Sequence, residues 1–191
     1  LEQREVVHVP RADLEDVGVP LDQFKDRELL QPNGLTQTHF VVDGHETTLP
    51  APAIAGFSLK KGKATEQDDY NYSYDQGSGN VFTTPANLTR WIHGLVMGES
   101  GVTKQQVARM TEVWPDSHYG LGLSHKQSGS TDLGFGHNGG TDGYLTALAC
   151  NPATGTAFVL QCSLIDFDDL GGELGWLDAT AAESLALIAQ G

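Results

Sequence analysis

The segment Gly136-His137-Asn138-Gly139-Gly140-Thr141-Asp142-Gly143-Tyr144 leads directly into an apolar run that continues to Leu164. A cluster of turn formers at positions 151–155 divides that run, so we predict a β-hairpin. Its strands are apolar at nearly every position, which indicates a sheet covered on both faces. Four glycines among positions 136–144 should weaken a strand, and such glycines often stand where a backbone approaches a ligand closely. Spacing alone favours a simpler interpretation, a tight, bulged strand start with a surface histidine.

A strong helix signal precedes the hairpin. Thr84 can cap a helix whose first residue is Pro85, because the fixed φ of proline suits that position. Gly98 should end the helix. Apolar residues recur between these points at helical spacing and form one face: Leu88, Trp91, Ile92, Leu95 and Val96.

Two further helices are predicted. Thr103 and Gln106 form a capping-box pattern, and the helix that follows should run past Trp114 to a stop at Pro115. A last helix should start at Asp178, with one side formed by Ala181, Leu185, Ile188 and Ala189. A helix pair, then strands, then a helix predicts an α+β fold with an antiparallel sheet flanked by helices.

The chain of 191 residues has the length of one globular domain. A short amphipathic helix should run from Leu21 to Leu30, and positions 41–80 lack sustained periodicity. We therefore divide the domain into a lead-in (1–20), a mainly loop and helical region (21–118), and the sheet strands with the closing helix (119–191).

Charge and hydropathy exclude two classes of partner. The formal net charge is −14, and no basic block is longer than Lys60-Lys61, which argues against nucleic acid or an anionic membrane surface. The longest apolar run, Tyr144 to Cys150, is far shorter than the ~20 residues that a spanning helix needs. We expect no membrane span.

The two cysteines are predicted to be free, buried thiols. In the expected hairpin, Cys162 lies opposite about position 144, far along the strand from Cys150. A disulfide requires Cα atoms within about 7 Å of each other.

Three motifs for cofactors or metals fail on their context. Gly134-Phe135-Gly136-His137-Asn138-Gly139 spells the dinucleotide fingerprint G-x-G-x-x-G, but no helix follows it. The acidic run that begins at Asp166 resembles a calcium loop, yet Leu170 and Leu177 occupy positions that must supply oxygens. The seven histidines include no H-x-x-x-H pair for zinc. We therefore expect no cofactor and no metal.

Several segments resemble, in the same order along the chain, landmarks of the serine β-lactamase, penicillin-binding protein and class C-like esterase family. Residues 136–144 are similar to its Lys-Thr-Gly or His-x-Gly strand, and Tyr119-Gly120-Leu121-Gly122 is similar to the Tyr-Gly-Leu-Gly strand before it. Residues 32–40 resemble its Pro-Leu-Gly-Met-x-x-Thr-x-Phe segment, and residues 77–88 resemble a glycine-rich helix entry. The turn at 151–155 also fits. The resemblance covers about positions 30–165 and implies the C-terminal part of the β-lactamase/DD-peptidase-like fold.

The resemblance also implies roles for individual residues. His137 would take the Lys/His place, next to the substrate's carboxylate or the proton network of the nucleophile. Asn138 would line the cleft, and Gly139 would permit close approach of substrate. The backbone N–H of Gly140 would be one oxyanion donor. The other donor would be the amide of the nucleophilic serine.

That serine starts a helix in an S-x-x-K motif in this family. The letters occur at Ser58-Leu59-Lys60-Lys61, but this segment is typical of a strand and a turn, so we interpret the match as chance. Ser78-Gly79-Asn80 matches the family's S-x-N motif, yet it lies inside the segment that resembles the helix entry. We expect that neither serine is catalytic.

We therefore interpret the chain, which begins at Leu1 without a methionine, as the C-terminal portion of a serine hydrolase. The parent would cleave an amide, ester or β-lactam bond through an acyl-enzyme, and a missing N-terminal segment or a second chain would complete the site. Its partner would be a small acyl, peptide or β-lactam substrate, and the resemblance alone favours a periplasmic or extracellular location. Two alternatives stay open, a non-catalytic ligand-binding module and a purely structural α+β domain.

Overall fold

A computed structural model describes residues 18–41, 47–68, 70–75 and 78–188 of the chain. Most of the expected lead-in, together with Gly77 and Ala189, lies outside the described residues. The helices are α1 (Leu21–Lys25), α2 (Pro85–Met97), α3 (Lys104–Met110) and α4 (Leu170–Ile188). The strands are β1 (His39–Phe40), β2 (Phe57–Lys60), β3 (Lys63–Glu66), β4 (Val81–Phe82), β5 (Ser124–Ser128), β6 (Thr131–Thr141), β7 (Tyr144–Cys150), β8 (Ala157–Cys162) and β9 (Leu164–Asp166).

The main sheet is antiparallel, with strand order β5-β6-β7-β8. It contains the predicted hairpin, in which β7 and β8 pair from Leu145 opposite Cys162 to Cys150 opposite Ala157. The pairing between β5 and β6 shifts register after Lys126, so a β-bulge interrupts that ladder. The α+β class, an antiparallel sheet flanked by helices, is confirmed.

Helices cover both faces of this sheet, as the apolar strands predict. On one face, α2 packs Ile92, Leu95 and Val96 against side chains such as Cys150. On the other face, α4 packs Leu177 against a cluster that includes Leu145, Ala147 and Ile165. Successive residues of β7 serve the two faces alternately, which is the period-2 geometry of a strand. Each fully buried Leu or Ile contributes about 1.5–3 kcal/mol from burial.

The start of α2 and both of its predicted signals are confirmed. The Thr84 hydroxyl accepts a hydrogen bond from the Asn87 amide, and Gly98 ends the helix with a φ of 71°. Asn87 also accepts bonds from the Gln37 amide (3.0 Å) and the Thr38 hydroxyl (3.3 Å). The segment 32–40 is thereby attached to the first turn of α2.

The predicted capping box of α3 is confirmed, but its predicted end is wrong. The helix ends at Met110, not near Trp114, whose side chain is 74% exposed. The Thr111 hydroxyl donates to the carbonyl of Val107, and the Leu121 amide donates to the carbonyl of Met110. These tertiary and local bonds occupy carbonyls at the helix end, so the chain leaves the helix well before the proline.

The predicted start of α4 at Asp178 is also wrong, because the helix begins at Leu170. The Asp169 carboxylate accepts a hydrogen bond from the Gly172 amide at 3.2 Å, the geometry of an N-cap. The acidic segment from Asp166 is therefore a turn and helix cap. On the expected apolar side Ala181 is buried, whereas Ile188 is 75% exposed.

The stretch 41–80 was expected to lack regular structure, yet it contains a β-hairpin of β2 and β3. Strand β2 also pairs in parallel with β9, so this hairpin joins the C-terminal part of the fold. Strands β1 and β4 form a separate pair. The predicted helix over residues 21–30 is confirmed, and its second half, Asp26–Leu30, is a π-helical turn.

Both cysteines are free, as predicted. Cys150 is fully buried, while Cys162 is only partly buried, so the prediction of burial holds in full for the first alone. Within the described part of the chain, no helix is both long enough and apolar enough to cross a membrane.

Candidate functional site

The candidate site lies where strand β6 extends beyond its neighbour β5. The last residue of β6 that pairs with β5 is Gly136, opposite Ser124. From His137 to Thr141, the described residues provide a partner on the β7 side only. One edge of β6 is therefore open along these five residues, and an open edge can bind an extended ligand through main-chain hydrogen bonds.

The backbone groups that face this open edge follow from the hydrogen bonds around β5. The Ser124 hydroxyl donates to the carbonyl of Gly136 at 3.1 Å, whereas the His125 amide turns away from β6 and donates to His118. Successive residues of an antiparallel strand direct their backbone groups alternately to the two sides. Because Gly136 faces β5, the amides of Asn138 and Gly140 face the open edge.

His137 lies at the start of the open edge with an exposed side chain. Its Nε2 is 3.0 Å from the hydroxyl of Tyr119, and the two rings meet edge to face with centroids 5.7 Å apart. Its Nδ1 contacts the carbonyl oxygen of Asn138. A carbonyl only accepts, so Nδ1 carries a proton, and in the neutral ring Nε2 accepts the Tyr119 hydroxyl proton. The imidazole is thus fixed in one tautomer.

The side chain of Asn138 points to the other face of the sheet. Its Oδ1 accepts a hydrogen bond of 2.5 Å from the Lys126 ammonium, which lies 2.7 Å from the Asp178 carboxylate on α4. Asn138 therefore offers the open edge its backbone, while its side chain holds β6 against β5 and α4. The structure brings His137, Asn138, Gly139 and Gly140 together on one strand, as the sequence predicts, but it directs the side chains of the first two to opposite faces.

The glycines of the site differ in the space around them. A Cβ on Gly139 would meet no heavy atom within 4 Å, and this position is exposed. A Cβ on Gly140 would lie 3.1 Å from Cδ1 of Ile165, on the α4 side of the sheet. The face of β6 that carries His137 is therefore unobstructed at Gly139.

A segment with three tyrosines, Tyr70, Tyr72 and Tyr74, lies at the C-terminal end of the open edge. The Asp75 carboxylate accepts hydrogen bonds from Thr141, the last residue of β6, at 3.0 Å and from Tyr70 at 2.9 Å. Tyr72 is buried, and desolvation, with a smaller contribution from Tyr144, raises its pKa to about 12. Tyr74 is 69% exposed. Tyr70 thus borders the site, Tyr72 is part of the core, and Tyr74 faces solvent.

Neither serine motif has the geometry of a nucleophile. Ser58 lies inside strand β2, and Lys61 lies in the following turn with a φ of 50°. A lysine one helical turn from the serine, as the S-x-x-K motif requires, is therefore absent from this segment. Ser78 lies in a turn, where its hydroxyl donates to the Asp75 carbonyl. The interpretation of the Ser58 segment as a strand and a turn is confirmed.

A cavity of about 270 Å³ lies elsewhere, between α2, α3 and the hairpin turn. It is lined by residues that include Val96, Val107 and Pro152, and His137 is not among them. The G-x-G-x-x-G segment lies entirely inside strand β6, so the interpretation that it is not a dinucleotide loop is confirmed.

Sequence reasoning missed Tyr119 and Lys126 as members of this site. Tyr119 is 18 residues from His137, and Lys126 is 12 residues from Asn138. The strand register decides both contacts. The Tyr-Gly-Leu-Gly segment, expected as a strand, forms only an isolated bridge between Tyr119 and Ser124, and β5 begins after it.

Comparison with solved structures finds three informative likenesses. A D-amino acid amidase from Ochrobactrum anthropi SV3, complexed with L-phenylalanine, is 19% identical, with a TM-score of 0.76 over 92% of this chain and 52% of its own. A D-stereospecific amidohydrolase from Streptomyces sp. is 20% identical, with a TM-score of 0.66 over 77% and 45%. A penicillin binding protein from Bacillus halodurans is 17% identical, with a TM-score of 0.63 over 88% and 51%. The chain thus spans about half the length of these proteins, which share its fold.

Curated protein sequences include no match to this chain. A sequence-family model described as Beta-lactamase matches residues 8–178, which is most of the chain and includes the whole open edge of β6. The expected β-lactamase/DD-peptidase-like fold is therefore confirmed, and the chain belongs to the beta-lactamase family.

Proposed function

We propose that this chain forms the sheet side of the active site of a serine hydrolase that cleaves an amide, ester or β-lactam bond. The observation that carries the proposal is the open edge of β6, where His137 and the amide of Gly140 lie three residues apart on one strand. The amidohydrolase and penicillin-binding relatives support the same reaction class by their names.

Each residue of the edge has a role in the proposed reaction. The serine oxygen attacks the substrate carbonyl, and the amide N–H of Gly140 stabilises the oxyanion that forms. The leaving group departs with the proton that the serine gave up, and water then hydrolyses the acyl-enzyme. His137, bonded to Tyr119, takes part in that proton network or binds a carboxylate of the substrate. The bare backbone at Gly139 lets the substrate lie close to the strand.

We propose that the nucleophilic serine lies outside residues 1–191, in another segment or a second chain. The one S-x-x-K match in the sequence begins at Ser58, inside a strand. Exposed apolar side chains next to Tyr119 along the chain also support a covering segment. Trp114, whose amide donates to the Tyr119 carbonyl, is 74% exposed, and Leu121, two residues after Tyr119, is 61% exposed. Exposed apolar surface of this kind commonly marks a binding interface.

The absence of a well-formed S-x-x-K around Ser58 also favours a second candidate function, a module that binds an acyl or peptidoglycan-like ligand without turnover. Such a module would keep the open edge of β6, and ligand would raise its melting temperature. It would form no covalent adduct.

The deciding experiment uses the polypeptide that the gene encodes. We expect a fluorophosphonate or a labelled penicillin to form a covalent adduct, and peptide mass mapping should locate it on a serine outside residues 1–191. His137→Ala should slow acylation by about 10²–10⁴-fold, the range for a lost proton-transfer group. His125→Ala is the matched control, because His125 lies on the neighbouring strand, pairs with Asp132, packs on the Phe135 ring and makes no contact with His137 in the described residues.

Three results would contradict the proposal. An adduct on Ser58 would show that the nucleophile lies within this chain. Stabilisation by ligand without an adduct would favour the binding module. Equal acylation rates in the His137→Ala and His125→Ala variants would leave the glycine-rich strand with a structural role only.

A further inference from the structure

A buried lysine lies beneath the open edge of β6. Lys126 is 5% exposed, and its ammonium contacts Asn138 Oδ1 at 2.5 Å and Asp178 Oδ1 at 2.7 Å. That carboxylate oxygen is also buried, and its approach to Lys126 is an ion pair outside hydrogen-bond angles. Removing charges from water is costly, so a pair of this kind is weak evidence for stability alone.

The ion pair is connected to His137 through Asn138. On one face of β6, the Asn138 side chain accepts from Lys126. At the backbone, the carbonyl of Asn138 accepts the Nδ1 proton of His137, whose Nε2 meets the Tyr119 hydroxyl at 3.0 Å. A continuous series of contacts thus runs from helix α4 to the imidazole on the opposite face of the sheet.

We propose that Lys126, held by Asp178, is a positioning residue that fixes the orientation of Asn138 and thereby the tautomer of His137. The inference deepens the proposed function, on which its consequence for catalysis rests. Residues 137–141 have no β5 partner, so cross-strand pairing on that side cannot hold them. The Lys126 bond to Asn138 provides a side-chain attachment to β5 where the backbone ladder has ended.

The first test is spectroscopic and needs no turnover. In the protein labelled with ¹⁵N-histidine, ring nitrogen shifts distinguish a protonated from an unprotonated nitrogen, and the His137→Ala spectrum assigns the His137 signals. We expect wild type to show a protonated Nδ1 and an unprotonated Nε2 at alkaline pH. Lys126→Met should move both shifts towards values for a mixture of tautomers. Lys63→Met, on the exposed strand β3, is the matched control and should change neither.

A double variant separates positioning from stability. Lys126→Met alone leaves the Asp178 carboxylate without its partner, whereas Lys126→Met with Asp178→Leu removes both charges and should fold. We expect the double variant to retain the loss of the fixed tautomer, because Asn138 still lacks its donor. Wild-type His137 shifts in a folded double variant would overturn the proposal.

The catalytic consequence is measured separately on the protein with its nucleophile. The acylation rate constant of the double variant should fall by about 10- to 100-fold with little change in substrate affinity, as for a misplaced catalytic group. An unchanged acylation rate together with altered His137 shifts would support the positioning role of Lys126 but contradict the proposed role of His137 in the reaction. Altered acylation with wild-type shifts would instead reject the role of Lys126.

Discussion

Gly139→Ala should separate folding from activity. The new methyl group would meet no heavy atom within 4 Å, and Gly139 does not have a left-handed φ. Alanine in place of a strain-free glycine stabilises a protein by about 0.4–1 kcal/mol, mainly because the unfolded chain loses freedom. We therefore expect the free energy of unfolding to rise by that amount or to stay unchanged.

Activity should respond in the opposite direction. Gly139 is two residues from His137, so its Cβ would project from the same face of β6. A methyl group there would hold a substrate away from the strand, and a displacement of about 1 Å can reduce a rate by about 10²-fold. The reacting carbonyl would then lie too far from the Gly140 amide for a strong hydrogen bond.

The assay compares Gly139→Ala with the wild-type protein in two quantities, the free energy of unfolding and the acylation rate. Urea titration gives the free energy of unfolding of Gly139→Ala, and fluorophosphonate or penicillin labelling of the gene-encoded protein gives its acylation rate. Gly136→Ala is the control on the same strand, because its Cβ would lie 1.9 Å from the Leu148 carbonyl oxygen and should prevent normal folding. Wild-type acylation by a stable Gly139→Ala protein would refute the idea that substrate lies along this edge.

Further predictions concern the rest of the fold. Leu177→Ala should lower the free energy of unfolding by about 2–5 kcal/mol in urea titration, because Leu177 is 1% exposed and the change leaves a cavity. Thr84→Ala should lower it by about 0.5–2 kcal/mol through loss of the helix cap, and Thr84→Ser should not. Burial raises the pKa of the Cys150 and Cys162 thiols, so Ellman's reagent at pH 8 should react slowly until the chain is unfolded, and most slowly with the fully buried Cys150; rapid native reaction of Cys150 would contradict its burial. The pKa of Tyr72 is about 12 in the folded protein, whereas an unfolded tyrosine has a pKa of about 10. The free energy of unfolding should therefore fall as the pH rises from about 10 to 12, and it should fall less in Tyr72→Phe.

Local chemistry made much of the fold predictable. The caps at Thr84 and Thr103 are short-range patterns, because each side chain bonds an amide within its own first turn. The hairpin turn at 151–155 is likewise determined by a few adjacent turn-forming residues. The wrong helix boundaries depend on other contacts. The Leu121 amide bonds the end of α3, and α4 starts at Leu170, capped by Asp169, despite three glycines in its first turns.

Of the candidate site, the sequence predicted only the residues on strand β6. The motif pointed to His137 and Gly140, but their partners depend on how distant segments align. Strand β5 reads Ser-His-Lys-Gln-Ser, and nothing in a wholly polar strand distinguishes a buried Lys126 from a solvated one. The bulge after Lys126 shifts the register of β5 against β6, and the alternation of apolar and polar residues in the sequence does not predict that shift. Tyr119 likewise meets His137 only because the chain turns back before β5.

The glycines of β6 distinguish residues kept for folding from those available for function. A Cβ on Gly134 would lie 2.2 Å from the Cys150 carbonyl oxygen, and one on Gly136 would clash with Leu148, so the sheet itself excludes larger residues there. No such contact constrains Gly139. Packing therefore explains the glycines where β6 has strands on both sides. Of the two glycines beyond β5, Gly140 faces Ile165 at close range, and packing fails to explain only Gly139. Under the proposed function, a substrate that lies against the strand would account for a glycine without a structural reason on the exposed face beside His137.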